Sequence, residues 1–436
     1  MTALQQLGQF VAQCGRDGVP DDLRELVELH VIDSLGAWFA VARTEEAARL
    51  HVLAEAMAGN NKRSLATQIA TACGMARLSE IDDIHLPSMT TPGGIIIPAA
   101  FTVGRALDAP IADLIAAILA GYEVMTRLGR ALDGPSILYR GIWPTYFVAP
   151  VAVAAVVARL FGHDATQSAN ALALALTLAS PGVGHHNAST TSRWLALGNA
   201  AANGFVAAIG ATQGFTSDLN LIEGSFLSGI YDLRADSSSL TNGLGDDTVL
   251  REVSFKPWCA ARQTMAATQA LRELLDSGVA PESITGVHAF VLPPHLKMID
   301  HGVTTGDRAS HLTSLPYCMA VAAIAQETAF DVRQSPPELP QPVRDFMQKI
   351  KVEPDGALAS DYPRRWRARV RVTTDAGTHE REVAEIPGDP TAPFDRAAVE
   401  AKFLRFVGLS IGEQEAKDML TRCHTAMVTG DLAPLI

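Results

Sequence analysis

The sequence predicts a mainly α protein, a large all-helical domain joined to a smaller α+β domain. Three observations carry that class. Up to about residue 265 apolar residues recur at three- and four-residue steps almost without a break. Near residue 280 the texture changes to β-branched runs and a hairpin, and after residue 395 it turns helical again. The division that follows is 1–268 together with 395–436 for the helical domain and 269–394 for the α+β domain.

The elements follow in chain order. Asp21 or Asp22 caps a helix whose inner face is Leu23, Leu26, Val27, Val31, Leu35 and Trp38. Pro110 to Leu132 gives a second helix, with Glu123 and Arg127 four apart on one face. Phe147 to Ala158 is apolar on every side, which places it inside a bundle. Asp164 and Gln167 form a capping box that opens the apolar run Ala169 to Ala179, stopped by Pro181 and Gly182. In the α+β domain, Ile284 to Leu292 reads as a strand. Arg367 to Val383 reads as a hairpin turning at Asp375-Ala376-Gly377. Helices are expected at Leu315 to Gln326 and Pro342 to Ile350, with a proline-marked loop between them. Arg396 to Val407 is a helix that rejoins the large domain.

Composition narrows the function. Apolar residues make up 48% and charged residues 19% of 436, a globular profile with ample core. The 35 Lys+Arg against 47 Asp+Glu leave a net charge of −12, which argues against a nucleic-acid footprint built from clustered cations. The longest apolar run, Phe147 to Ala158, contains Pro150, stops at Arg159 and falls short of the roughly 20 residues a membrane span needs. The N-terminus lacks the basic start and apolar run of a secretory signal. The five cysteines carry no CxxC spacing, so no metal site is expected and a reducing compartment fits. The expectation is a soluble cytoplasmic protein with no nucleic-acid or membrane partner.

Four segments are polar where a helical core has no need of it. Glu80-Ile81-Asp82-Asp83-Ile84-His85, followed by Thr90-Thr91-Pro92-Gly93-Gly94, sets two adjacent carboxylates beside an imidazole, a workable acid/base group. Gly182 to Arg193 holds His185, His186, a run of hydroxyls and Arg193, a cradle for carboxylates in which Arg supplies a bidentate fork. Phe255 to Thr264 puts Lys256 and Arg262 beside Trp258 and Cys259, which suits an anionic substrate. His311 to Tyr317 ends in a tyrosine that is either a core aromatic or a proton donor.

Taken in order, these segments resemble the MmgE/PrpD family. The resemblance runs through Ile32-Asp33-Ser34-Leu35-Gly36, Asp82-Asp83-Ile84-His85, Pro92-Gly93-Gly94, Gly121-Tyr122-Glu123-Val124 and Pro144-Thr145. It continues with Gly198, Gly214-Phe215-Thr216, Ile222-Glu223-Gly224, Lys256-Pro257-Trp258 and Tyr317. It implies a helical domain with an α+β lid, a homodimer, an active site in the cleft between them, and cofactor-independent chemistry on small carboxylic acids. Known members eliminate water, release carbon dioxide or invert a carbon next to a carboxylate. The departures are as informative. Where the family pattern has histidine before Pro-x-Gly and before Pro-Thr, this chain has Thr91 and Trp143. Where it has lysine before the Gly-Ala-Ala helix, this chain has Arg193, and two further histidine positions become Ala196 and Met265 or Ala261. Arginine keeps the charge that holds a carboxylate but gives up acid/base chemistry near neutrality, and Trp143 replaces a proton shuttle with an apolar wall.

The resulting expectation is a cofactor-independent lyase of dehydratase or decarboxylase type acting on a small organic acid. The alternatives are an epimerase or isomerase using the same proton chemistry, or a silent ligand-binding relative. His85, His185 and His186 are the acid/base candidates, with Asp83 orienting or sharing the proton and Tyr317 as donor. Arg193, Lys256, Arg262, Thr91 and Trp143 are the candidates for binding substrate.

Overall fold

The computed structural model describes residues 1–58, 64–180, 191–333 and 338–435. They divide into two units by contact: 1–180, 191–254 and 395–435 form the larger, and 255–333 with 338–394 the smaller. The fold class is mainly α with a small mixed sheet in the C-terminal region.

The core of the larger unit is helix Pro144–Leu160, in which every residue from Pro144 to Arg159 is buried. It packs against Ile111–Ala131, Ser192–Thr212, Ala165–Thr177 and Gly93–Leu107. Each of its enclosed valines and Phe147 is worth roughly 1.5–3 kcal/mol of burial, which is why an all-apolar sequence settles there. The capping box at Asp164 forms as expected, with Gln167 N donating to the Asp164 carboxylate at 2.8 Å. Glu123 and Arg127 pair at 2.7 Å, both buried. The second helix starts differently: Pro20 is its N-cap residue, and Asp21 and Asp22 fall in the first turn, where acidic groups favour the helix dipole without capping it. Helix Arg396–Ile411 returns to this unit and packs on Asp21–Ala40, followed by Glu413–Thr429, which the sequence reading did not separate.

One described helix, Ser192–Thr212, is long and apolar enough to cross a membrane by length and composition. It lies packed against helix 144–160 and Leu65–Leu78, with Leu195 and Val206 on its exposed side.

In the smaller unit, β3 (Ile284–Val291) takes the place predicted for a strand, and β5 (Ala368–Thr374) and β6 (Gly377–Val383) make the predicted hairpin. (β1 and β2, Ile84–His85 and Val253–Ser254, belong to the larger unit.) With β4 (Ile350–Pro354) the sheet order is β4-β3-β5-β6, antiparallel except for β3 with β4. The strand β4 (Ile350–Pro354) was missed. The helix expected at 342–350 is Gln341–Met347, and the chain enters β4 at Ile350. The unit boundary also moves. Residues 255–268 belong to the smaller unit because helix Arg262–Asp276 packs on Leu315–Ile324, β5 and β6.

Candidate active site

The segment after helix 65–78 is built around charges that are fully buried. Arg77 forks to Asp82 Oδ1 and Glu80 Oε2, each at 2.9 Å. Asp83 is a hub. Its Oδ1 accepts from Gly93 N at 2.7 Å, and its Oδ2 accepts from Tyr122 OH at 2.6 Å and from His30 Nδ1 at 2.7 Å. A carboxylate only accepts, so the His30 proton sits on Nδ1. Nearby, Lys402 Nζ donates to Asp33 and, at 2.6 Å, to the Ile81 carbonyl, which fixes the segment from the other side. Burial raises the Asp33 carboxyl pKa against the pull of Lys402. Gly93 and Gly94 are required by this crowding: a Cβ on Gly94 would stand 2.8 Å from Asp82 Oδ2. Asp83 was expected to orient or share the proton of the acid/base histidines, and His85 is not among its hydrogen-bonding partners. Those partners are His30, Tyr122 and Gly93, because helix 93–107 presents its N-terminal amide directly to the carboxylate.

His85 lies on β1, which pairs with β2 through His85 and Val253. The imidazole is buried, with Nδ1 2.8 Å from Ser88 Oγ and Nε2 3.2 Å from both Glu252 Oε2 and an Arg130 nitrogen. Burial pushes its pKa below the usual histidine value, against the upward pull of the Glu252 hydrogen bond. At neutral pH it is an uncharged base. Glu252 is half-exposed and is held below the ordinary carboxylate range by that same hydrogen bond, so it links the buried ring to solvent.

Arg193 opens helix 192–212. Its guanidinium carbon lies 4.9 Å from the Trp143 ring centroid and 5.4 Å from that of Trp194. It is only 5% exposed, and among the described residues it makes no hydrogen bond or ion pair. Trp143 is the N-cap residue of helix 144–160 and meets Tyr146 edge-on, ring centroids 5.4 Å apart. Thr91 is placed beside them: its N–H donates to Thr145 Oγ1 at 3.0 Å. The Tyr146 hydroxyl, within electrostatic reach of Arg193 and Arg77, is pushed up to about 12 chiefly by burial.

The smaller unit holds the other candidates. Arg262 is fully buried; its Nη2 donates to both oxygens of Asp389 at 2.7 and 3.0 Å, while its Nε and Nη1 have no hydrogen-bond partner among the described residues. Asp389 also accepts from Ile386 N at 2.9 Å, so the arginine fixes the 386–389 turn. Lys256 is buried, and Tyr317 is buried edge-on against His311 at 4.9 Å, with burial raising its hydroxyl pKa. His185 and His186 lie outside the described residues. None of the predicted site residues lines the cavity of about 730 Å³ between helix Ala3–Gln13 and the 241–251 segment.

Two family models match almost end to end, the MmgE/PrpD N-terminal domain over residues 5–241 and the MmgE/PrpD C-terminal domain over 258–425. The chain belongs to the MmgE/PrpD family. No curated protein matches the chain. The family is known for dehydratase-type enzymes acting on carboxylic acids. The start of the C-terminal match at 258 falls close to the boundary between the two units, at 254/255. Within this MmgE/PrpD chain the sequence reading missed His30, Tyr122 and Tyr146. His30 and Tyr122 sit in apolar helices, where a lone polar ring among leucines and alanines was the available signal. Tyr146 gave none beyond standing three residues after Trp143.

Proposed function

We propose that the chain is a lyase or isomerase that moves protons on a small organic carboxylic acid without a cofactor. One observation carries the reading. Arg193 is a permanently charged group, buried between two indoles, with no acidic partner among the described residues. A buried guanidinium left without an anion is costly, and substrate carboxylate supplies the missing charge with a bidentate fit. His85 supports it as a neutral imidazole connected to solvent through Glu252, with His185 and His186 as further bases. Arg262 acts through Asp389 as a positioning residue.

The test is a proton NMR time course in heavy water with pooled acids, among them aconitates, methylcitrate, citramalate and iminodisuccinate. Deuterium exchange, water loss or decarboxylation in the wild type that disappears in Arg193→Met supports the reading. Turnover that survives Arg193→Met, or no reaction with any acid despite saturable binding of one, overturns it.

A further inference from the structure

His85 meets two opposed neighbours at one nitrogen. Its Nε2 lies 3.2 Å from Glu252 Oε2, which only accepts, and 3.2 Å from Arg130 Nη2, which only donates. Arg130 Nη2 also donates to the same Glu252 oxygen at 2.7 Å. On the other edge of the ring, Nδ1 is 2.8 Å from the Ser88 hydroxyl, and that oxygen is 2.6 Å from the Thr90 hydroxyl. The ring, Ser88 and Thr90 are wholly buried, whereas the Arg130 and Glu252 side chains are 33% and 49% exposed.

A neutral imidazole carries one proton, so only one arrangement at Nε2 holds at a time. A bare Nε2 would set its lone pair against a carboxylate oxygen. Glu252 is an anion at neutral pH, its pKa lowered chiefly by the His85 contact. A protonated Nε2 donates to that anion, and the donor it then faces, Arg130, already spends its shorter bond on Glu252. The ring proton therefore sits on Nε2. The rest follows by counting hydrogens. Nδ1 is the bare nitrogen, so the Ser88 hydroxyl donates to it. Ser88 has one proton to give, so the Thr90 hydroxyl donates to Ser88.

We propose that Glu252 and Arg130 are positioning residues that hold His85 in its Nε2–H tautomer and turn its one basic nitrogen, Nδ1, to the buried Ser88 hydroxyl. This deepens the reading of His85 as the base and rests on it. In the proposed reaction the ring takes its proton through Ser88. As Ser88 Oγ accepts a proton from the Thr90 side it passes its own to Nδ1, and the ring becomes an imidazolium whose Nε2–H stays on Glu252. Hydroxyl, imidazole and carboxylate stand in the order of an activated nucleophile. Ser88 is enclosed and bonded to Thr90, so its oxygen transfers a proton and attacks nothing. The charged groups facing the ring are Glu252 from turn Val249–Glu252, Arg130 from helix Ile111–Ala131 and, in its own segment, Asp83. Glu252 and Asp83 favour the imidazolium, and Arg130 opposes it.

The experiment is nitrogen NMR of the full chain labelled with 15N in its histidine rings, the His85 signals being assigned by their loss in His85→Gln. The wild-type ring is expected protonated at Nε2 and bare at Nδ1 at neutral pH. Glu252→Met leaves only the Arg130 donor at Nε2 and is expected to move the proton to Nδ1. Arg130→Met is expected to keep the wild-type tautomer. At about pH 5 the imidazolium fraction should fall in Glu252→Met and rise in Arg130→Met. Urea midpoints establish that the variants are folded, which part-exposed sites allow. With an acid that is turned over, Ser88→Ala is expected to lower kcat on the order of a hundred-fold with little change in KM. Ser88→Cys, which keeps a transferable proton, is expected to restore part of the loss.

A wild-type ring protonated at Nδ1 overturns the proposal. So do a tautomer unmoved in Glu252→Met, and wild-type turnover in a folded Ser88→Ala. The two readings fail separately. The expected tautomers alongside no turnover of any acid keep the setting of His85 by Glu252 and Arg130 and remove the enzyme. Turnover by a chain whose His85 is protonated at Nδ1 keeps the enzyme and removes the setting.

Discussion

Replacing Tyr122 by phenylalanine deletes one oxygen from the Asp83 hub and leaves everything else in place. The hydroxyl donates to Asp83 Oδ2 at 2.6 Å, and both residues are wholly buried. A hydrogen bond to a charged acceptor contributes about 1.5–3 kcal/mol, and no water is at hand to replace it. Asp83 keeps His30 and Gly93, so the carboxylate stays paired and the hub is weakened without collapsing. With a urea m-value of about 3 kcal/mol/M, the loss lowers the unfolding midpoint of the larger unit by roughly 0.5–1 M. Tyr231→Phe is the control. Its hydroxyl makes no hydrogen bond among the described residues while its ring packs on Phe147, and its effect is expected within about 0.5 kcal/mol. An unchanged midpoint in Tyr122→Phe refutes the hub as a source of stability. An unchanged midpoint with turnover reduced a hundred-fold or more places Tyr122 in the chemistry instead.

Two further outcomes follow from burial and backbone geometry. Burial depresses the pKa values of His85, His163, His295 and His311, the last two helped or opposed by Arg262 and Asp307 respectively, and takes His295 to about 3. The unfolded chain therefore binds protons first as pH falls, so stability is complete above about pH 6.5 and declines below it towards the folded-state values. Urea midpoints measured from pH 7.5 down to 5 should fall, and His295→Gln should flatten the decline; a midpoint constant over that window contradicts the burial of these rings. Gly388 has φ +97°, and a Cβ there would stand 2.5 Å from the Phe255 carbonyl oxygen. Gly388→Ala should destabilise the smaller unit by about 2 kcal/mol or more, seen as faster hydrogen exchange across 255–394; wild-type exchange in that variant argues against the close approach.

How much was legible in the sequence follows from which signals are local. The capping box at Asp164, the Glu123–Arg127 pair and the hairpin over β5 and β6 depend on residues a few positions apart, and all form. The strand β4 was invisible because it pairs in parallel with β3 across a long connection, and its residues Ile350–Pro354 carry two charges and a proline. The partners of Asp83 lie 53, 10 and 39 residues away, and no spacing rule reaches them. The same holds for Arg262. As sequence it was a cation beside an aromatic and a thiol; in the fold its charge is consumed by Asp389, 127 residues on.

The residues that set this chain apart in its family also divide the work in the proposed reaction. A lysine or histidine in a substrate cradle can bind an anion and also move a proton. Arg193 and Trp143 can do only the first, because a guanidinium and an indole N–H offer donors and no basic lone pair. Tyr146, at about 12, holds its proton as well. None of the three takes up a proton at neutral pH. Proton abstraction then belongs to a group that is uncharged at pH 7, and His85 meets that condition because burial keeps its imidazole neutral. Its Nε2 contact with half-exposed Glu252 connects the ring to solvent, whereas Asp83 is closed in by His30, Tyr122 and Gly93. On the proposed reading, loss of the family's histidines at positions 91 and 143 separates anion binding from proton transfer and leaves the second to the remaining histidines.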